Sequence, residues 1–374
     1  MWCRSQVRVC VVSHRLGGLD GVSIEAAKWV HAFRSLGWTV TRAAGHFVDH
    51  EPTDVVVRGM WADLPGMEPP PVDADTIRWL CESHDLIVLD NAGSLWSAPE
   101  ASQEWQRQAL ASRVPTIARH HDPAWQGVAL RTPTPDTVPL HHPALLHVLI
   151  NELTRAEFAR RWPVLVERDA LRIAHNRVDV DELAFGERDA TRARLGVGPD
   201  DLVLVQPARV EAANKNVPGA VAFARQLARV VDRQVRYWLT DPAQASGAIG
   251  EALQEAPGLI RGHVSPQADM YAAADVVLLP STWEGWGLPV VEGAAAGRLI
   301  VAGPYPVLDE IRAAGVEVYD PADVDEVAQL LADDQAHADV VDANRAVVRE
   351  RFDLAALPGE LEQLAQRAAQ LMAG

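Results

Sequence analysis

The sequence predicts an α/β protein made of two doubly wound domains, and three observations lead there. At 374 residues the chain exceeds what one hydrophobic core usually organises and suits two domains. Short β-branched runs alternate with segments of helical period, which marks strands joined by helices and hence a mainly parallel sheet covered on both faces. The alternation then restarts near residue 201, beyond a joining stretch at 177–200.

The first strand is expected at 7–12 (VRVCVV), followed by the loop SHRLGGLDG and a helix from Ser23. In that helix Ile24, Ala27, Val30, Ala32, Phe33 and Leu36 recur close to the helical period, and Gly37 stops it. Further strands are expected at 38–45, 54–59, 85–91, 115–121, 147–152 and 171–176. The second series opens with a strand at 201–209 and a helix over 217–231, then strands at 235–240, 258–262, 275–281 and 298–303. The proline-rich stretches 68–75 and 132–143 read as surface loops.

Composition narrows the function. No run of 18 uncharged apolar residues is present, so no membrane span is expected, and the start MWCRSQVRVCVVSHR does not read as a signal peptide. Three cysteines (Cys3, Cys10, Cys81) without metal-ligand spacing suit a reduced cytoplasm. A formal charge of −17 disfavours nucleic acid and anionic lipid surfaces as partners. Of 34 cationic residues only Lys28 and Lys215 are lysine, which makes each of them informative.

In parallel sheets ligands collect outside the carboxyl ends of the strands, here the loops 13–21, 207–216 and 281–288. Residues 281–297 read STWEGWGLPVVEGAAAG. Gly285 and Gly287 permit a sharp turn and close approach of backbone amides, and Pro289 suits the first turn of a helix. Such a helix start suits phosphate. Glu284 lies before the helix and Glu292 is expected in its first turn. Two readings stay open: carboxylates that accept sugar hydroxyls beside an anion site, or acidic residues that merely complement the helix dipole.

The stretch ADMYAAADVVLLPSTWEGWGLPVVEGAAAG resembles the signature of retaining, nucleotide-sugar-dependent glycosyltransferases of the GT-B fold, family four (glycosyl transferases group 1). That signature pairs two glutamates with seven residues between them, as Glu284 and Glu292 stand here. The resemblance implies that Glu292 holds the nucleotide ribose, that Glu284 contacts the transferred sugar, and that amides near Gly287 and Leu288 meet the donor. In QPARVEAANKNVPGAVAF it implies that Arg209 and Lys215 hold the diphosphate. Two cations beside a helix start would neutralise a leaving diphosphate better than either alone. GHVSPQADMY is similar to the segment that reads the nucleobase, around His263 and Val264, and RLGGLDG to the glycine loop over the diphosphate, with Gly21 in close approach. HNRVDVDEL resembles the entry to the second domain, with Arg177 where the family has glycine. Domains are accordingly expected at 1–177 (Rossmann-like, acceptor-binding) and 178–352 (Rossmann-like, nucleotide-sugar-binding), with a helix at 353–374 returning to the first. TDPAQASG replaces the family's glycine-rich turn near Thr240, and Arg298 replaces a proline.

PTIARHHDPAWQ places His120, His121 and Asp122 at a strand end, and the resemblance assigns His121 to the donor sugar and incoming acceptor. His141 and His142 read as surface residues, and no histidine set has zinc-site spacing. The triplets Asp73–Asp75, Asp179–Asp181 and Asp323–Asp325 read as structural, none following a strand on the ligand edge. The G-x-G-x-x-G spacing and G-x-S-x-G are absent, which argues against a dehydrogenase or hydrolase.

The resemblance implies a retaining, metal-independent, cytoplasmic transferase, with His121, Glu284, Arg209 and Lys215 at the reaction and no cofactor beyond a nucleotide-diphosphate sugar as co-substrate, UDP- or GDP-linked. The expected acceptor is a small soluble molecule, with Trp61, Trp79, Trp96, Trp105 and Trp125 as candidate walls for it. No nucleic acid or membrane partner is expected, and a homo-oligomer is left open. A non-catalytic nucleotide-sugar-binding scaffold, or a phosphorylase or epimerase on the same fold, remain alternatives.

Overall fold

A computed structural model describes residues 7–18, 20–60, 70–94, 98–126, 138–211, 214–241, 243 and 245–374. The chain forms two compact units, Met1–Asn176 with Ala355–Gly374, and Arg177–Leu354. The first contains strands β1 (Arg8–Leu16), β2 (Thr39–Phe47), β3 (Val55–Val56), β4 (Leu86–Asp90), β5 (Thr116–His120), β6 (Leu146–Leu149) and β7 (Leu171–Ile173). They form one sheet in the order β3-β2-β1-β4-β5-β6-β7, and every pairing is parallel. The second unit contains β8 (Leu202–Gln206), β9 (Val235–Leu239), β10 (Ile260–Arg261), β11 (Val276–Leu279) and β12 (Leu299–Ala302). Their order is β10-β9-β8-β11-β12, again all parallel.

The central strands β4, β5, β8 and β11 are buried along their whole length, as expected where helices cover both faces; β8 and β11 are almost wholly apolar, while β4 and β5 carry Asp90, Arg119 and His120 into the buried layer. β1 runs four residues beyond its expected end, since Arg15 and Leu16 still pair with His46 and Phe47. Leu16 joins Ala26, Ala44 and Phe47 in a small apolar cluster that holds this extension. The loop after β1 is therefore shorter than 13–21.

Around Ile87, Leu89 and Trp105 a larger core includes Cys10 and Cys81. Both thiols are free, and burial pushes them up, Cys81 to about 12, so neither is a reactive thiolate near neutrality. Cys3 lies outside the described residues. The C-terminal helix Leu357–Ala373 belongs to the first unit and packs on the helix Gly21–Ser35 and on β5 and β6.

All three Asp-x-Asp triplets sit at helix starts. Asp73 and Asp179 cap their helices by accepting from Thr76 N (3.1 Å) and Glu182 N (2.8 Å), and Asp323 stands at the cap position of Val324–Ala332. Asp75, Asp181 and Asp325 occupy the first turns, where the helix dipole favours them.

Gly186 gives a direct test of packing in the second unit. A Cβ there would stand 2.1 Å from Ala268 O and 2.6 Å from the Ala272 Cβ, and the first of these is backbone that cannot swing away. Gly186→Ala should cost about 1–3 kcal/mol, as overpacking does. Urea unfolding should show a lower midpoint with an unchanged slope.

Candidate active site

The loops after β8 and β11, central neighbours in the second sheet, are stitched together by polar contacts. Thr282 N donates to Asn214 O (2.9 Å), Asn214 Nδ2 to Trp283 O (3.0 Å), and Asn216 Nδ2 to Pro280 O (3.1 Å). At the end of β8, Gln206 Nε2 donates to Lys215 O (2.7 Å) while its carbonyl accepts from the Tyr237 hydroxyl. This stitching presents Lys215 to the neighbouring loop, where Nζ donates to Glu284 Oε1 at 2.7 Å with both side chains largely buried. The residues expected to hold diphosphate and sugar are thus ion-paired with each other. Arg209 is not with them: its side chain is 83% exposed and lies 3.8 Å from Glu211.

Gly287 takes φ +90°, a conformation that favours glycine, and starts the helix Leu288–Ala295 with Pro289 at its second position. Glu292 is the fifth residue of that helix, in the second turn rather than the expected first. It is buried and accepts from Gln267 Nε2 and the Tyr271 hydroxyl, each at 2.7 Å. Neither glutamate fits the dipole-complement reading, because Glu284 is committed to Lys215 and Glu292 lies one turn too far in. Gln267 and Tyr271 come from the helix Gln267–Ala273. The loop before it carries His263, exposed, and Val264, half-buried, so the segment expected to read the base leads into the helix that holds Glu292. The departure TDPAQASG has a structural use: Asp241 Oδ2 accepts from Val210 N (2.6 Å) and fixes the residue after Arg209. Pro242 and Gln244 lie outside the described residues.

In the first unit, β4 and β5 deliver Asp90 and His121 to one point. His121 Nε2 donates to Asp90 Oδ1 at 2.7 Å, and His121 N donates to Asn91 Oδ1 at 3.2 Å. Asn91, at φ +58°, also donates from Nδ2 to Asp122 Oδ1 (2.6 Å). Burial alone would push the Asp90 carboxyl up, but the Arg119 and His121 charges outweigh it and hold it below the usual range. The Asp90 bond commits Nε2, which leaves Nδ1 as the nitrogen with which His121 can meet a ligand.

A Cβ on Gly21 would meet nothing within 4 Å among the described residues, so their packing does not require glycine there. The helix it starts is already capped by Asp20, which accepts from Ser23 N (3.2 Å) and from Arg15 Nη2 (2.6 Å). Of the candidate acceptor walls, Trp105 is core, Trp79 is exposed, and Trp125 lies under the Arg161 guanidinium at 4.1 Å. Trp61 and Trp96 lie outside the described residues.

Beneath His121 runs a buried chain that sequence reasoning missed. His147 Nε2 bonds His142 O (3.1 Å), a carbonyl that can only accept, so His147 Nδ1 accepts from His120 Nε2 (3.1 Å) and His120 Nδ1 accepts from Ser94 Oγ (2.5 Å). Both imidazoles are neutral: burial lowers His120 and takes His147 to about 4.

Comparison with known proteins bears on the fold and the class of enzyme. Residues 203–333 match the family model described as Glycosyl transferases group 1. Mannosylglucosylglycerate synthase of Thermotoga maritima is 22% identical, over 93% of this chain and 97% of that protein. D-inositol 3-phosphate glycosyltransferase 1 of Catenulispora acidiphila is 31% identical over 68% of this chain, which spans 58% of that relative. Anabaena Alr3699/HepE, solved with UDP and glucose, superposes with a TM-score of 0.67 at 15% identity, covering 95% of this chain and 98% of that one. The fold is GT-B, and the chain is a glycosyltransferase. The stretch that matches the group 1 model lies within its second unit.

Two outcomes follow from the first unit. Folded His147 has a lowered pKa and unfolded histidine titrates near 6.5, so the unfolded chain holds more protons between those values. Stability should fall as pH drops from about 6.5 to 4, with His147 contributing about 3 kcal/mol of the loss. His147→Gln should flatten that slope in denaturant unfolding at stepped pH. Gly21→Ala should leave the melting temperature unchanged, and a raised donor KM in this variant would mark Gly21 as a point of ligand approach.

Proposed function

We propose that the protein is a retaining, metal-independent glycosyltransferase that moves a sugar from a UDP- or GDP-linked donor to a small, water-soluble acceptor in the cytoplasm. The observation that carries the reading is the Lys215–Glu284 pair at 2.7 Å, flanked by the helix that starts at Gly287 and by the buried Glu292. A lysine held beside a helix start offers a diphosphate both charge and amide donors. The ion pair keeps the lysine neutralised until a stronger anion competes for it, and the freed Glu284 then has an acceptor oxygen for a sugar hydroxyl. Glu292, steadied by Tyr271 and Gln267, suits a ribose diol. Arg209, exposed on the same loop as Lys215, is available to close on the diphosphate.

Bond-breaking at the sugar carbon leaves charge on the diphosphate, which Lys215, Arg209 and the amides near Leu288 would stabilise. A front-face route lets a donor phosphate oxygen take the acceptor proton, so His121 orients sugar or acceptor and need not be a strong base. A UDP donor is supported by the Anabaena structures with UDP and UDP-glucose, and a small polar acceptor by relatives named for D-inositol 3-phosphate and mannosylglucosylglycerate.

A thermal-shift screen of UDP-, GDP- and ADP-sugars tests the reading, because a donor at 100 times its Kd adds about 2.7 kcal/mol of stability. Lys215→Ala and Arg209→Ala should each weaken nucleoside diphosphate binding and lower turnover about 100-fold. Glu292→Ala should raise donor KM, and Glu284→Ala should lower kcat. Normal binding and turnover in both cation variants would remove the assignment. Release of nucleoside diphosphate only when acceptor is added separates a transferase from a binding scaffold.

A further inference from the structure

One polar group beside these loops has no task in the reading above. Tyr305 follows β12 and is 1% exposed, and its hydroxyl is buried with no hydrogen-bond partner among the described residues. An unpaired buried phenol costs free energy that a phenylalanine would not. Its place is set by the backbone, Tyr305 N donating to Gly303 O (2.9 Å) and Leu308 N to Tyr305 O (3.0 Å). A Cβ on Gly287 would lie 2.1 Å from the Tyr305 hydroxyl oxygen, so the phenol fills the space that the glycine turn leaves open. Burial pushes the Tyr305 hydroxyl upward, and Glu284 lies near enough for its charge to push in the same direction. A proton donor is therefore held against the turn at Gly287, three residues after Glu284, while Lys215 occupies that carboxylate.

A diphosphate carries more negative charge than a carboxylate and would compete for the lysine. Glu284, largely buried, would then keep its charge and lose its partner, which is costly unless another donor takes over. We infer that Tyr305 is a positioning residue for Glu284: when a bound diphosphate draws Lys215 away, the Tyr305 hydroxyl donates to the Glu284 carboxylate and fixes it for the transferred sugar. The inference rests on the donor reading above and adds a residue to it.

Tyr305→Phe is the test, with the nucleotide sugar selected by the thermal-shift screen and its parent nucleoside diphosphate as probes. The ligand-free melting temperature should stay unchanged or rise, because the hydroxyl makes no bond in that state. Nucleoside diphosphate affinity should stay within about twofold, while release of diphosphate from the sugar donor slows about tenfold, as for loss of a hydrogen bond to a charged group. In a Glu284→Gln background the same substitution should have no further effect. A melting temperature lowered by several degrees would show the phenol already bonded, and unchanged turnover would show it idle; either result overturns the inference and leaves the donor reading intact. A wild-type protein that binds none of the probes defeats the donor reading itself, and this inference with it.

Discussion

A guanidinium that never reaches water organises the ligand edge of the first sheet. Arg119 is fully buried on β5, with Nη2 on Glu25 Oε2 (3.0 Å) and Asn176 Oδ1 (2.8 Å), Nη1 near Asp90 Oδ2 (3.4 Å), and its face 4.5 Å from Trp29. Burying such a charge is tolerable only when opposite charge and hydrogen bonds surround it. One side chain thus commits the helix Gly21–Ser35 through Glu25, β4 through Asp90, and the end of the unit through Asn176. Asp90 divides its two oxygens between Arg119 and His121, so the place of the candidate site histidine follows from the charge balance around the arginine.

The second unit concentrates its buried charge at the opposite end of the strands. Asp275, just before β11, accepts from Val203 N (2.8 Å) and is surrounded by Arg188 (2.7 Å), Arg192 (2.8 Å) and Arg233 (3.3 Å). Arg192 also donates to the carbonyls of Ala273, Gly198, Pro199 and Asp201. This cluster fastens the amino ends of β8 and β11. The carboxyl ends are joined by loop contacts and by the Lys215–Glu284 ion pair, which bridges the loops after β8 and β11.

That asymmetry suits a ligand edge. A rigid cluster fixes the strand axes, so the loops after β8 and β11 keep their spacing while the partners of Lys215 change. Glu292 differs from Glu284 in this respect: held by two neutral donors in a buried helix turn, it keeps its place whatever Lys215 does. The two glutamates therefore differ in what holds them, a lone cation against two neutral donors, although they stand on one turn-and-helix segment.

The presence of strands was legible because apolar runs are local: VRVCVV, DLIVLDN and DVVLLPS each announce a buried strand without reference to the rest of the chain, whereas their order in the sheets came only from the structure. Strand ends were less so, as the four extra residues of β1 depend on a neighbour that the sequence does not name. The paired glutamates and Lys215 stood out by spacing and rarity. Their partners did not: Glu284 and Lys215 are 69 positions apart, Glu292 is held by Tyr271 and Gln267 from another helix, and Asp90 meets His121 across adjacent strands. Sequence determines which groups are charged, apolar or free to turn, because those are properties of single residues and short windows. Which carboxylate neutralises which cation is decided only when the parallel sheet brings distant loops to one edge, since pairing energy depends on distance and burial and not on separation along the chain.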